Sequence, residues 1–536
     1  MGASTGIPDG HEHHHGGNDN RQGYFGSSSA MSFMREVREV IGKKTTIYSV
    51  CHDYVLPPRK VADSLVRSYW TFVHTLYPFL HKPAFMKTYS RLWGYPEGAD
   101  PLFHCILNLV FALGCQLSPE IGESEREPTS DIFFQRSKKL LHFDILDEGN
   151  IMVVQALLLM GQYLQCTKMP GRCWIVVGLA TRVAQGLGLH RDAHSVNSGR
   201  HKTNGSGCTR QLERELRKRL WGGCLVLDRM ISMAYGRPFM IPVTQNLILP
   251  QAIDDELLTS NSDPPAAQPE NKPSQMAFFV HTLQLYEIMG DILTTLYSTG
   301  TRRLENDTYL FKYIFEMILD EQQRTSNLSS IIRLEMALNA WEKALPWFLR
   351  LGTYTQDSAN SPRNRRDMTD NILLRQNNVL RARYLHTCIL LYRPVFAHFF
   401  ALEESSHPVT QDTGLQRSVF VQSSTTCVTS AQELVEMIHR NIRELLPAWW
   451  YNMFSTVLLM ARLFPKIKQA IGEDYLIESW GKCLNCLSEY QSYSDSAKWC
   501  YESLSELDKM AFQSNDGKKT DFFISTCFLE SLVCYS

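Results

Sequence analysis

An all-α, bundle-like fold without significant sheet is what this sequence predicts, on three observations. Apolar residues recur every three or four positions along most of the chain. No convincing run alternates apolar and polar residues as a half-buried strand would, and no short-period repeat is visible. Helix-starting and helix-stopping residues stand where the apolar stripes begin and end.

Taken in order, residues 1–56 read as a flexible segment, rich in Gly, Ser, Asn and His at its start, with one short helix near SFMREVREVI. An extended stretch ends in Pro57 and Pro58. Leu65, Tyr69, Phe72, Val73 and Leu76 then form the first strong stripe, which Pro78 stops. Asp100-Pro101 is an N-cap followed by Pro at the first helical position, heading the stripe Leu102, Ile106, Leu109, Val110, Leu113 and Leu117. Asn150 caps the next helix. Cys173 to Leu187 makes another, closed by Gly186 and Gly188. After a polar loop at 193–210, Leu212, Leu216, Leu220, Cys224, Leu227 and Ile231 mark a helix of about 20 residues. Four prolines make 259–274 a linker or long surface loop. Beyond it, Phe279 to Leu296 is helical, with further helices at 329–345, 372–400, 428–445 and 449–470 and a polar loop at 402–424. The expected organisation is a motif-bearing half at 57–258, a C-terminal helical half at 275–512 and a tail at 513–536.

The composition suits a folded chain: 44% hydrophobic and 20% charged residues among 536. Lys and Arg number 54 against 55 Asp and Glu, so the net charge of −1 offers no long-range attraction to nucleic acid. No signal peptide opens the sequence, and most of the 14 cysteines sit in apolar helical patterns, as expected of thiols in a reducing compartment. Ile151–Leu164 is too short and interrupted to cross a bilayer, so no membrane association is expected.

Enzyme and metal signatures are broken wherever they begin. His11-Glu12-His13-His14-His15 matches HExxH, but among glycines it reads as a low-complexity tract. Cys483 and Cys486 form a lone CxxC with Cys500 near and no second ligand pair, so core or surface thiols are the plainer reading. Gly186 and Gly188 lack the third glycine and preceding strand of a dinucleotide loop. Lys43-Lys44 and Lys518-Lys519 have no phosphate loop around them, and no GxSxG elbow occurs. The expectation is therefore no enzyme, no cofactor and no stoichiometric metal. The basic cluster Arg214, Arg217, Lys218 and Arg219, diluted by Glu213 and Glu215, reads as a solvated helix face, with partner or nucleic-acid contact as the sharper alternative. Asp228-Arg229 lies amid Leu225, Leu227, Met230 and Ile231, where a charge needs a partner. Arg229 and Arg237 are the nearest candidates. The pair is either an architectural salt bridge or the wall of an effector pocket.

At this helix the sequence resembles the fungal-specific transcription factor domain, the middle homology region of fungal zinc-cluster regulators. Gly186–Asp192 reads GLGLHRD, with His190, Arg191 and Asp192 at its end. Arg217, Trp221, Asp228-Arg229 and Gly236-Arg237-Pro238 then match the family's Arg-x-x-Trp-Trp, Leu-Asp-Arg and Gly-Arg-Pro sequence, and AIDDE follows at 252–256. Tyr77–Phe85 (YPFLHKPAF) looks like the family's opening segment, and Tyr384–Pro394 is similar to its later helix ending in Arg-Pro. The four motifs fall in the right order over roughly 60–470. The family's binuclear zinc cluster, six cysteines within about thirty residues, is not found: no Cys precedes Cys51. The resemblance implies a nuclear regulator of metabolic or secondary-metabolite genes. DNA contact would be indirect, through the transcription machinery or a zinc-cluster partner, with a small-molecule effector as a possible ligand. The competing reading is a helical small-molecule-binding protein or metabolic enzyme.

Overall fold

The computed structural model describes residues 54–94, 98–118, 120–141, 150–165, 170–191, 211–243, 247–258, 265–297, 321–350, 368–404, 414–441, 451–491 and 495–513. Among these residues the fold is all-α, with no strand.

The first helices stack pairwise. α1 (Arg59–Ser68) runs directly into a π-helical turn (Tyr69–His74) and then into the Tyr77–Leu80 corner. α2 (Lys82–Leu92) follows, and α3 (Pro101–Gln116) and α4 (Glu123–Leu140) pack closely on one another. Asp100 caps α3 as its sequence requires, its Oδ1 accepting from Leu102 N at 2.8 Å. α5 (Ile151–Gln165) is capped by Asn150, whose Oδ1 accepts from Met152 N at 2.9 Å. It is buried on nearly every face, which explains its all-round apolar sequence. α6 (Pro170–Gly186) ends in a Schellman turn: Gly188 takes φ +68° and Leu189 N donates to Ala184 O. The left-handed residue is Gly188 alone; Gly186 still belongs to the helix.

α7 (Gln211–Tyr235) is the spine of the molecule, packed on α5, α6 and α8 (Ala277–Leu296). It closes with the same device, Gly236 at φ +61° and Arg237 N donating to Ser232 O at 3.1 Å. α9 (Glu321–Ala344), a short 3-10 turn (Trp347–Leu349) and the long α10 (Met368–Glu404) come next, then α11 (Gly414–Arg440). α12 (Tyr451–Leu463), α13 (Pro465–Ile471), α14 (Glu473–Tyr490) and α15 (Asp495–Gln513) complete the fold around α11. One apolar core runs through both halves, from Ala62 to Leu504.

Two expectations are corrected here. The expected polar loop at 402–424 is helical at both ends: α10 continues to Glu404 and α11 starts at Gly414. Phe420 and Val421 rest partly buried on the core, which gives that polar stretch its tertiary support. The helix expected at 449–470 is two helices, because Pro465 has no N–H to continue the ladder and instead opens α13. The N-terminal 53 residues, with the His tract, the short helix and Lys43-Lys44, lie outside the described residues, as do the loop 193–210 and Lys518-Lys519.

Candidate functional site

The motif segments identified from sequence converge on α7. Its first turns present Gln211, Glu215 and Arg219 on one face, at i, i+4 and i+8. Against that face lies the strap 247–258, which presents Gln251, Ile253 and Asp255. Gln251 N donates to Glu215 Oε2 at 2.6 Å, and Gln211 exchanges hydrogen bonds with Ala266 N and O at 2.8 and 2.9 Å. Arg219 Nη2 donates to Ile253 O at 3.2 Å and its Nη1 is tightly paired with Asp255 Oδ1. Arg219 is only 1% exposed.

Asp255 is the node of this seam. Besides Arg219, its Oδ2 accepts from Lys82 N at 2.9 Å, supplying an acceptor to the open N-terminus of α2. His74 Nε2, from the π-turn, stands 3.4 Å from the same oxygen, and His81 Nε2 lies 3.1 Å from the Asp255 carbonyl. Burial pushes the Asp255 carboxyl up, but His74, the Arg219 charge and the Lys82 N–H outweigh it and hold the group well below the usual carboxylate range. His74 moves the other way: burial lowers it more than Asp255 raises it. The preceding residue of the strap serves a different helix. Asp254 Oδ1 accepts from Ser274 Oγ at 3.0 Å and Gln275 N at 2.9 Å, pinning the approach to α8. Two adjacent carboxylates thus fasten two distant helix starts.

The family-motif residues further along α7 form a second buried cluster. Asp228 accepts from Met240 N at 3.0 Å and Ile241 N at 2.9 Å, and Arg229 Nη1 lies 3.3 Å from it. Burial raises the Asp228 carboxyl despite these three opposing contacts. The Arg229 guanidinium stacks over Phe239 at 4.1 Å, in space that Gly290 of α8 leaves open. Arg237, the other expected partner of Asp228, does not reach it. It is exposed, lying over the Trp174 ring at 4.9 Å. The αL turn at Gly236 and the fixed φ of Pro238 send the chain round so that the backbone of Met240 and Ile241, rather than a guanidinium, meets the carboxylate. Asp228 and Arg229 are both buried where α7 meets α8 and the turn that follows α7.

The remaining motif residues have simpler roles. Arg217 Nη2 donates to Leu187 O at 3.0 Å, closing the end of α6. His190 leans on the Trp221 ring at 5.7 Å, and burial lowers its imidazole. Arg191 follows the αL turn, and Asp192 lies outside the described residues. A Cβ on Gly222 would lie 2.8 Å from Leu283 of α8, and one on Gly223 would overlap the Phe79 ring, so the Gly-Gly step lets α8 and the Tyr77–Leu80 corner close on α7. The expectation of a solvated basic face is corrected: Arg214, Arg217 and Lys218 are half-buried and Arg219 is buried. Charge counting could not see the acceptor, which lies 36 residues further on at Asp255.

Sequence reasoning also missed a buried cation on α10. Arg383 donates to Thr282 Oγ1 and Tyr77 OH, both at 3.0 Å, and faces the rings of Tyr77, Phe278 and Tyr286. Earlier on α10, Arg375 donates to Phe72 O at 2.6 Å and Gln376 to Thr75 O at 2.7 Å, taking carbonyls of the π-turn region. The CxxC thiols are core: Cys483 and Cys486 are buried on α14 beside Cys500 of α15, and burial pushes Cys486 and Cys500 up to about 12. Among the described residues no cluster of His, Cys, Asp or Glu is arranged to hold a metal ion, and no helix is long and apolar enough to cross a membrane.

A family profile, the fungal specific transcription factor domain, matches residues 66–343, a span that holds the π-turn, the Asp255 seam and the Asp228 cluster. The chain belongs to this family. Its similarity to individual members runs further along the sequence. It is 27% identical over 478 residues to the sorbicillinoid biosynthetic cluster transcription factor 2 of Penicillium rubens, covering 86% of this chain and 63% of that protein. It is 25% identical over 413 residues to the sorbicillinoid biosynthetic cluster transcription factor sor3 of Hypocrea jecorina, covering 74% and 51% respectively. A third relative is the activator of stress genes 1 of Saccharomyces cerevisiae, 25% identical over 438 residues, covering 78% and 39%. The chain spans between about two-fifths and two-thirds of the length of these relatives. By their names the first two are transcription factors and the third is an activator of genes.

Proposed function

We propose that this chain is the helical regulatory part of a fungal transcription regulator that controls a set of metabolic or secondary-metabolite genes. The observation that carries the reading is the family match across the α1–α9 region, joined to similarity with two regulators named for a biosynthetic cluster. The buried seam supports it physically. Its charged groups are engaged with one another and closed to solvent, which suits a rigid relay domain better than a reaction centre. In this reading the protein works in the nucleus. It reaches DNA through a zinc-cluster partner or acts on the transcription machinery directly, and its balanced charge gives it little hold on DNA by itself.

Tethering tests this reading. The chain is fused to an unrelated DNA-binding module and placed upstream of a reporter in a fungal host. Reporter output should depart several-fold from that of the module alone, and the fusion should accumulate in the nucleus. Output identical to the module alone, from a fusion shown to be folded and nuclear, would refute it.

A further inference from the structure

A cleft of about 390 Å³ opens between the last turns of α9, the Trp347–Leu349 turn and the middle of α10. That volume suits a small organic ligand. Its floor is Leu345, Leu349 and Leu380, all buried. One wall is the stacked pair Trp341 and Tyr384, with 13° between the ring planes. Trp341 is fixed by its Nε1, which donates to His281 O at 3.0 Å. The wall is therefore apolar, flat and preorganised.

The rim carries the polar chemistry. Arg381 lies over the Tyr384 ring and forks onto Glu433, Nε and Nη2 donating to the two carboxylate oxygens at 2.8 and 3.0 Å. Its remaining arm, Nη1, donates to Glu342 Oε1 at 2.6 Å. The two arms are unequal. Glu433 is held by a bidentate fork. Glu342 and Glu433 are similarly exposed, 43% and 40%, but Glu342 is held by single bonds only, one from Arg381 and one from Tyr384 OH at 3.2 Å. Lys343 and Arg350 add two more cations, and Arg350 is anchored by donating to the Leu345 and Lys343 carbonyls at the end of α9. Three cations thus line the cleft against one carboxylate, Glu342, and that carboxylate is the exchangeable one.

We propose that this cleft binds a flat, apolar monoanion, an aromatic carboxylate. Its ring lies on the leucine floor against Trp341 and Tyr384, and its carboxylate takes the Arg381 Nη1 arm from Glu342. The family match ends at residue 343, so Leu349, Leu380, Arg381 and Tyr384 lie beyond it. As an effector site the cleft rests on the regulatory reading above; as a binding site it stands without it.

Binding of 2-naphthoate to the full chain, followed by equilibrium dialysis and calorimetry, tests the proposal. One saturable site is expected, with the uncharged 2-naphthamide at least about tenfold weaker. Arg381→Met should bring naphthoate down to the amide's affinity. Glu342→Gln should tighten naphthoate, because it removes the competing carboxylate while keeping the Tyr384 contact possible. A purely greasy surface would respond to neither substitution. Absence of saturable binding, equal affinity for acid and amide, or weaker binding in Glu342→Gln overturns the site. The amide comparison uses the native chain and does not depend on whether a variant folds. The reporter experiment reads the regulatory role separately, so either can fail alone.

Discussion

Replacing Asp255 with Asn leaves Arg219 buried without its anion and weakens the hold on the start of α2. The expected loss is about 3–5 kcal/mol, read by urea unfolding. Asp228→Ala should cost a similar amount, because two backbone N–H groups and Arg229 lose their acceptor together. Arg237→Ala, which removes an exposed guanidinium lying over the Trp174 ring, should cost less than about 1 kcal/mol. Equal losses for Arg237→Ala and Asp228→Ala would restore the pairing that the structure replaces. Two buried histidines, His74 of the π-turn and His386 of α10, set the pH response. Burial lowers His74, and burial with the Arg393 charge pushes His386 down to about 3. In the unfolded chain both take up a proton near 6.5, so between that pH and the folded values the unfolded state binds more protons. Stability therefore falls as pH drops below 6.5, by about 2 kcal/mol at pH 5 from His386 alone. Asp255 is depressed in the folded state, so its contribution persists down to its ordinary value of 3.8 and is lost only below it. Urea midpoints that are equal at pH 7 and pH 5 would contradict the histidine assignment.

Glycines with one sequence signature act in opposite ways once placed in elements. Gly236 holds φ +61° at the end of α7, so Gly236→Ala should destabilise by about 1–2 kcal/mol. Gly186 is helical with open space where a Cβ would go, so Gly186→Ala should be neutral or stabilising, by up to about 1 kcal/mol. Melting temperatures of the two variants that shift the same way would show the end of α6 misassigned. These elements are largely legible in the sequence. The caps at Asp100 and Asn150, the stripe of α7 and the stop at Gly188 depend on local chemistry, which a sequence carries on its face. What stays hidden depends on distant partners. Residues 414–424 look polar until Phe420 and Val421 find the core. The π-turn has no local marker; the Phe72 carbonyl within it and the Thr75 carbonyl just after it are met by Arg375 and Gln376, some three hundred positions away. Arg219 is one basic residue in a cluster until Asp255 reaches it, and the Arg381 cleft needs three elements brought together.

Over the whole molecule, the two halves foreseen from the Pro-rich stretch share one core and several polar bonds. Gln268, Ser274 and Gln275 tie that stretch back to Asp254, while Arg375, Gln376 and Arg383 cross from the later half to the earlier one. Residues 57–258 and 275–512 expressed separately should each be poorly soluble, and co-expression should restore a soluble complex. Size-exclusion chromatography reads the result, and two monomeric, cooperatively melting fragments would speak against the shared core. The separation of 303 positions between Phe72 and Arg375 also puts a clock on biosynthesis. At about 5–20 residues per second, a ribosome needs about 15–60 s to reach Arg375 after making Phe72. Throughout that interval the π-turn carbonyls and the Tyr77 corner emerge without the side chains that will cover them. The nascent chain is therefore a natural client for chaperones, and a chain truncated before Arg375 should aggregate rather than fold as a smaller protein.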